Sequence, residues 1–264
     1  MRKKLIIEGL LLILIFGAVW VVFAIFPILP HKSVFQISKE NETKLGDLLT
    51  RNILRTREFD RVNNDTIADA LDQVTKRLLP VLESSEYQYK ITVFNNDMAN
   101  AFALPGGNIL VSTGLISLTG SPEEMAAVLA HEMGHIEKRH TLSLLLKNFT
   151  LTLLFSDEAL LSEAGSLLLS SAFDRKHEEE ADRFGLQLLE KAHINPRFMG
   201  TVFRHLKEES GAYNPDMEIL MSHPDIDSRI KAAYEYKVAG DFIEKPLLCN
   251  WEAVKQYVTL LKSQ

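Results

Sequence analysis

Hydrophobic residues in the first third of the chain follow a helical period and then a strand period. Leucines, isoleucines and valines recur at three- and four-residue steps over Glu42–Thr56 and Asp65–Leu82, which predicts two amphipathic helices. From Tyr87 to Val93, apolar and polar residues alternate, as in a strand with one buried face. The pattern therefore places two helices ahead of a small sheet.

The next part of the pattern predicts a hairpin followed by a long helical region. The stretches Ala101–Leu104 and Ile109–Ser112 flank a Pro-Gly-Gly turn, which favours two strands of the same small sheet. After Gly120 the apolar positions recur at helical spacing nearly to the end of the sequence. The expected fold class is α+β, rich in helix, with one short antiparallel sheet.

The amino-terminal residues have the pattern of a membrane anchor. A basic cluster at residues 2–4 precedes an uncharged apolar run from Gly9 to Phe26, close to the ~20 residues that a spanning helix needs. A cleaved signal peptide is the alternative, but its apolar part is normally ~7–15 residues long. The basic cluster favours the cytoplasmic side. We expect a single-pass anchor at residues 1–30, in the lipid bilayer of the inner membrane through residues 5–27, with the remaining chain on the exported side.

The exported part is expected to be one domain with a short extension. We assign residues 31–240 to the domain and residues 241–264 to a C-terminal extension that packs on it or trails it. The apolar stretch Thr141–Phe155 is interrupted by Lys147 and Asn148, which favours a buried helix or a lid helix. A hairpin that dips into the membrane is the alternative for this stretch.

Composition and charge exclude several classes of protein. The chain has 35 acidic and 29 basic residues, a formal charge of −6 and no basic stripe, so we expect no nucleic-acid partner. The single cysteine, Cys249, excludes an internal disulfide framework and a cysteine-rich zinc ribbon. Function therefore has to be sought in local motifs.

A capped helix carries the strongest chemical signal. Ser121, the proline after it and Glu124 form a capping box, which predicts a helix start. That helix carries His131 and His135, which share one face and can bind the same metal ion. Glu132 lies beside them and can take a proton from a water molecule at the metal. This spacing predicts a hydrolytic site with one Zn²⁺ per subunit.

A hydrolytic zinc site needs a third protein ligand. One known pattern supplies a further histidine in H-E-x-x-H-x-x-G-x-x-H, but its glycine and histidine positions hold Lys138 and Thr141 here. His140 is one residue short of that position and is interpreted as a structural histidine. The remaining candidates are acidic residues on a later helix.

Three consecutive glutamates on a later helix differ in the face that they occupy. Glu178 shares its face with Asp182, an alanine and a glycine, and the small residues allow another helix to approach closely. Glu179 and Glu180 each have a basic residue four positions away, which is typical of a solvated surface. We therefore predict Glu178 as the third zinc ligand and Asp182 as the residue that orients a ligand histidine.

Four separated motifs occur in the order that a known enzyme family shows. They are Asn100-Ala101-Phe102-Ala103-Leu104-Pro105-Gly106-Gly107; Ala130-His131-Glu132-Met133-Gly134-His135 with Arg139-His140; Arg175-x-x-Glu178-x-Glu180-Ala181-Asp182; and Ser222-His223-Pro224 with Arg229-Ile230. Over roughly residues 45–234 the chain resembles the HtpX/BepA/CAAX-prenyl-protease family of zinc metallopeptidases (peptidase family M48).

The resemblance implies a fold and a set of roles. The fold would be zincin-like, of the gluzincin endopeptidase type. His131, His135 and Glu178 would bind zinc, and Glu132 would be the general base. His223, otherwise only a histidine before a proline in a turn, would reach the active site. There it would either stabilise the oxyanion or occupy the open zinc position in a closed form.

These features lead to a specific prediction of function. The closest resemblance is to small, singly anchored envelope proteases of the family, although Asp174 replaces the serine that usually precedes the arginine of the third motif. We predict a membrane-anchored zinc metalloendopeptidase that hydrolyses unfolded or damaged envelope proteins. Its substrate is expected to add a strand at an exposed sheet edge near Ile109–Ser112. The alternatives are an exopeptidase and a zinc-stabilised, non-catalytic chaperone-like or binding protein of the envelope.

Overall fold

The structure of the protein is a computed structural model. It describes residues 37–56, 59–82, 85–149, 158–213, 223 and 225–262. Nearly all of these belong to one compact unit, Lys39–Gln264. No helix within the described ranges is both long enough and apolar enough to span a bilayer. The predicted anchor at residues 1–30 lies outside these ranges.

The described unit is a helix-rich α+β fold, as the sequence predicts. Its helices are α1 (Lys39–Ile53), α2 (Asp65–Leu78), α3 (Thr113–Leu118), α4 (Pro122–Glu137), α5 (His140–Asn148), α6 (Glu158–Ser170), α7 (Arg175–Lys191), α8 (Arg197–Tyr213), α9 (Ile226–Glu235) and α10 (Trp251–Lys262). Its strands are β1 (Lys90–Phe94), β2 (Ala101–Leu104) and β3 (Asn108–Ser112). The second predicted helix ends early, at Leu78, because Pro80 follows and short 3-10 turns replace the α-helix there.

The small sheet has the strand order β1-β3-β2. β2 and β3 pair in antiparallel fashion around the Pro-Gly-Gly turn, so the predicted hairpin is confirmed. β1, however, pairs with β3 in parallel, so the prediction of a purely antiparallel sheet is wrong. Alternating apolar residues identify a strand but carry no information on the direction of its partner.

The prediction of an exposed edge near Ile109–Ser112 is also wrong. These residues form β3, which is the central strand, and all five residues of β3 are buried. The backbone of β3 pairs with β1 on one side and with β2 on the other. No further strand can join it, so within the described sheet an incoming strand would have to use β2 or β1.

Helix α4 forms the centre of the fold, and every residue of this helix except the last is buried. It packs closely against α7, where a Cβ added at Gly134 would lie only 2.8 Å from the carbonyl oxygen of Ala181. A Cβ at Gly185 would lie 3.2 Å from the backbone nitrogen of His131. Because the small residues let the two backbones approach, side chains of α4 and α7 meet at one site.

The C-terminal segment packs on the domain as far as residue 262. The indole Nε1 of Trp251, at the start of α10, donates to the carbonyl oxygen of Thr119 over 3.1 Å. The backbone nitrogen of Leu247 donates to Glu123 Oε1 over 2.8 Å. Helix α10 therefore closes the core beside α2 and α3.

Candidate metal centre

Four buried side chains converge on one point between α4 and α7. His131 and His135 come from α4, Glu178 from the first turn of α7, and His223 from the segment that precedes α9. One ligand atom from each of the four lies within 4.8 Å of the others. The structure thus brings together all the residues that the sequence predicts as zinc ligands, together with His223.

Four of the distances between these atoms are close to those in a tetrahedral metal site, and a fifth, from His131 Nε2 to Glu178 Oε2, is longer at 3.7 Å. Donors bound to zinc at ~2.0–2.1 Å lie ~3.3 Å apart along the edges of a tetrahedron. His131 Nε2 lies 3.1 Å from His135 Nε2 and 3.3 Å from His223 Nδ1. Glu178 Oε1 lies 3.3 Å from His135 Nε2 and 3.0 Å from His223 Nδ1. Nitrogen and carboxylate donors at this spacing are suited to zinc.

Each of the two histidines that α4 contributes to the cluster has a partner for its outer nitrogen. His131 Nδ1 lies 2.9 Å from Asp182 Oδ1, the contact predicted for Asp182. His135 Nδ1 lies 3.1 Å from Nδ1 of His140. Both contacts leave the Nε2 atoms turned toward the centre of the cluster.

Arg229 on α9 is a site residue to which the sequence analysis gave no role. Its Nη1 lies 2.7 Å from Glu178 Oε2, and its Nε and Nη2 donate to the two oxygens of Asp182 over 2.7 and 2.8 Å. The guanidinium group also lies over the ring of Phe203. Arg229 therefore holds the carboxylates of Glu178 and Asp182 in place.

Glu132 lies beside the cluster but is not a member of it. Its side chain is buried, and Oε1 is 3.9 Å from His223 Nε2. Its other oxygen, Oε2, has no hydrogen-bond partner among the described residues. Leaving a buried carboxylate oxygen without a partner is costly unless a water molecule or a ligand satisfies it. Glu132 Oε2 is therefore available to a water molecule or ligand beside the cluster.

The environment favours ionised Glu178 and Asp182 and neutral His135, whereas the neighbouring Glu178 raises the pKa of His223 despite its burial. Burial opposes ionisation of Glu178, but the charge of His223 and the close contacts with His135 and His223 outweigh it and hold the pKa of Glu178 well below its ordinary range. Burial likewise opposes ionisation of Asp182, and Arg229 lowers its pKa to about 2. Burial lowers the pKa of His135. Both carboxylates are therefore ionised and His135 is neutral at neutral pH.

The three consecutive glutamates point in different directions, as their helical phase predicts. Glu178 is buried in the cluster and Glu179 is exposed. Glu180 does approach Lys176, at 3.8 Å, but its nearer partner is Nε2 of His140, at 3.2 Å. Glu180 therefore contacts a buried histidine as well as the surface lysine that the sequence predicts as its partner.

The serine-to-aspartate departure in the third motif preserves local structure. Asp174 is the N-cap of α7, and its Oδ1 accepts a hydrogen bond of 2.9 Å from the backbone nitrogen of His177. Serine and aspartate are both good N-cap residues. The substitution therefore leaves the start of the helix that carries Glu178 intact.

The sequence is similar to the model of one peptidase family and to several known proteases. The model of Peptidase family M48 matches residues 67–237. The beta-barrel assembly-enhancing protease of Yersinia pestis is 26% identical over 215 residues, which are 75% of this chain and 44% of that protein. The mitochondrial metalloendopeptidase OMA1 of Arabidopsis thaliana is 36% identical over 149 residues, which are 54% of this chain and 30% of that protein.

A second relative of the same name, from Schizosaccharomyces pombe, is 29% identical over 174 residues, or 63% of this chain and 52% of that protein. This chain thus matches about half or less of the length of these relatives. The family model covers well over half of the chain and includes all the converging residues. The family resemblance of the four motifs is confirmed, and the chain belongs to peptidase family M48, the family of these metallopeptidases.

Proposed function

We propose that this protein is a zinc metalloendopeptidase. The observation that carries the proposal is the set of four donors at tetrahedral spacing next to the unpaired oxygen of Glu132. His131, His135 and Glu178 would hold the zinc ion. Bound zinc supplies Lewis acidity, which lowers the pKa of water at the site and polarises a peptide carbonyl.

The side chains around the zinc site have separate tasks in this proposal. Glu132 accepts the proton of the attacking water and passes it to the leaving amine. Asp182 orients His131 through its Nδ1 atom, and Arg229 keeps Asp182 and Glu178 in position. The positions of these groups are set by α4, α7 and α9, so the site is built on rigid elements.

Two contacts support the proposal that the described conformation is a closed form. His223 Nδ1 lies among the metal donors, where a hydrolytic zinc site keeps a position open for water or substrate. All four residues of β2 are buried, and the hydroxyl of Thr141 on α5 donates to the carbonyl oxygen of Ala103 over 2.9 Å. Both His223 and α5 would have to move before a peptide could bind.

The position of β2 supports an extended substrate. A cavity beside β2 is lined by Ala101, Phe102 and Phe173 and also by Glu132 and His223. We propose that a peptide adds to the outer edge of β2, which corrects the edge predicted from the sequence. Recognition by strand addition depends mainly on backbone hydrogen bonds. It would therefore suit unfolded or damaged proteins of the cell envelope.

The place of action is part of the same proposal. The uncharged run from Gly9 to Phe26 supports a single anchor in the inner membrane. The basic residues at 2–4 support a domain on the exported side. Residues 1–30 would thus hold the metallopeptidase domain near envelope substrates.

Purified full-length protein is expected to contain zinc and to cleave unfolded casein. A strong chelator should abolish the cleavage, and added zinc should restore it. His131, His135 and Glu178 act in the proposed reaction only by holding the ion that activates water. The measurements are metal content and the release of casein fragments. Bound zinc without cleavage, in the wild-type protein and in His223→Ala alike, would instead indicate a non-catalytic zinc protein.

His223→Ala is expected to raise casein turnover by about 10-fold. A 10-fold shift toward the open form requires that the substitution remove only about 1.4 kcal/mol of the stabilisation of the closed form. The substitution frees the fourth donor position while His131, His135 and Glu178 still bind zinc. Turnover and metal content are measured in parallel. His205→Ala, which removes a histidine that contacts Glu124 on α4, is the matched control and should change neither value. Turnover below the wild-type rate would contradict the closed form and favour the oxyanion role.

A further inference from the structure

We infer that His140 and Glu180 position the metal ligand His135, by fixing which of its ring nitrogens carries the proton. The inference rests on the proposed function, because the ion concerned is the same zinc. It gives a role to two residues that look structural or solvated in the sequence. Neither of them supplies a donor to the metal cluster.

The first step is the orientation of the His135 ring. Its Nε2 atom lies 3.1 Å from His131 Nε2 and 3.3 Å from Glu178 Oε1, so this nitrogen faces the metal. The opposite nitrogen, Nδ1, lies 3.1 Å from Nδ1 of His140. One nitrogen of a neutral imidazole carries a proton and the other carries a lone pair. To bind zinc, His135 must keep its proton on Nδ1.

The second step is the state of His140. Its Nε2 atom lies 3.2 Å from Glu180 Oε2, and an ionised carboxylate can only accept a hydrogen bond. The proton of a neutral His140 therefore sits on Nε2, and its Nδ1 is an acceptor. That acceptor takes the proton of His135 Nδ1 and leaves Nε2 of His135 with the lone pair that zinc needs. The order of donors thus runs from His135 through His140 to Glu180.

The third step is the exclusion of water. The side chain of His135 is 0% exposed and that of His140 is 3% exposed, so solvent does not compete for the bond between them. The ring of Phe173 covers His135 at 4.1 Å between ring centres, and the ring of His177 packs against His140 at 4.3 Å. In such a setting an imidazole nitrogen depends on the polar partner that the fold provides.

With this arrangement, the outer nitrogen of each of the two histidines is served by an acidic residue of α7. Asp182 contacts the outer nitrogen of His131 directly, at 2.9 Å. Glu180, two residues earlier on the same helix, serves His135 through one intervening imidazole. Outer partners of this kind typically contribute ~10–100-fold to metal affinity or activity. We expect His140 and Glu180 to act within that range.

The test is the zinc affinity of the full-length protein, measured by competition with a chromophoric chelator. His140→Leu should bind zinc ~10–100-fold more weakly than the wild type. His140→Asn keeps an acceptor at the Nδ1 position and should recover most of that loss, which a purely structural role would not predict. His177→Leu is the matched control, because His177 packs on His140 while its own Nδ1 faces Asp174; it should bind zinc normally.

A second pair of variants covers the case in which His140→Leu does not fold. Glu180→Ala should weaken zinc binding by ~10-fold, and Glu180→Gln, which can still accept from His140, should weaken it less. Glu179→Ala should bind like the wild type. The visible spectrum of the cobalt-loaded protein should change in Glu180→Ala and stay unchanged in Glu179→Ala, because it reports the ligand field at the metal.

The possible failures can be told apart. If the wild-type protein binds no zinc, the proposed function is wrong and this inference falls with it. If the wild type binds zinc and the folded His140→Leu and Glu180→Ala variants bind it equally well, the inference alone is wrong. Thermal unfolding of the metal-free proteins establishes which variants are folded.

Discussion

Glu132→Gln is expected to retain a full complement of zinc and to lose peptide hydrolysis by ~100- to 10,000-fold. Glutamine has the shape of glutamate and can hydrogen bond to water, but it cannot accept the proton. The carboxylate is buried, and its Oε2 atom has no hydrogen-bond partner within the described structure, so we expect it to bind a water molecule or the substrate. Zinc should remain because Glu132 is not one of the four converging donors.

The matched control for this substitution is Glu137→Gln. Glu137 ends the same helix, and its Oε1 accepts a hydrogen bond of 2.7 Å from the hydroxyl of Tyr89, which glutamine can also accept. This variant should keep both zinc and activity. Metal analysis and casein cleavage are measured on both proteins. Loss of zinc from Glu132→Gln would identify Glu132 as a ligand and would contradict the assignment of the general base.

The parts of the site that sequence reasoning reached are those governed by local rules. The side chain of Ser121 caps α4 by accepting from the backbone nitrogen of Glu124, as the capping box predicts. His131 and His135 meet because residues four apart share a helical face. The same phase argument separates buried Glu178 from exposed Glu179. In each of these cases the residues lie within about one turn of a helix. The contact of Asp182 with His131 joins two helices and was predicted from the need of a metal-bound histidine for an outer partner.

The features that sequence reasoning missed depend on contacts between distant parts of the chain. Strand direction is one example, because the alternation of apolar residues is the same for both directions. Consequently the position of β3 at the centre of the sheet, and with it the edge available to substrate, could not be derived from the pattern. The structure shows that β3 is central, and the proposed edge for substrate is therefore the outer edge of β2.

The contacts of the Arg229 and His140 side chains could not be predicted either, because their partners are distant in the sequence. Arg229 binds Asp182 across 47 positions of sequence, and His140 contacts Glu180 across 40 positions. Two signals did exist for Arg229, since it belongs to the fourth motif and shares a helical face with the apolar Ala233, four positions later. A charged residue on an apolar face indicates a buried ion pair. No comparable local signal distinguishes His140 from an ordinary buried histidine.

Glu178→Ala is expected to lose zinc and activity together, whereas Glu179→Ala is expected to lose neither. Glu178 is 1% exposed, and its oxygens lie within 3.3 Å of His135, His223 and Arg229. Removing a ligand should reduce zinc affinity by more than the ~10–100-fold that the loss of an outer partner costs. Glu179 is exposed, so its removal should cost at most ~1 kcal/mol of stability.

Comparison of alanine variants of the three glutamates tests which of them faces the metal ion. Successive residues of a helix point ~100° apart, so only one of the three can face the ion. Glu180 reaches the cluster indirectly through His140, and its alanine variant should therefore fall between the other two in zinc affinity. Zinc content, chelator competition and casein turnover are measured for all three variants, with metal-free thermal unfolding to verify the fold. Full zinc occupancy in a folded Glu178→Ala protein would refute the assignment of Glu178 as a ligand. Glu179, which is exposed, could replace Glu178 only if α7 rotated and lost the close packing of Ala181 against Gly134 of α4.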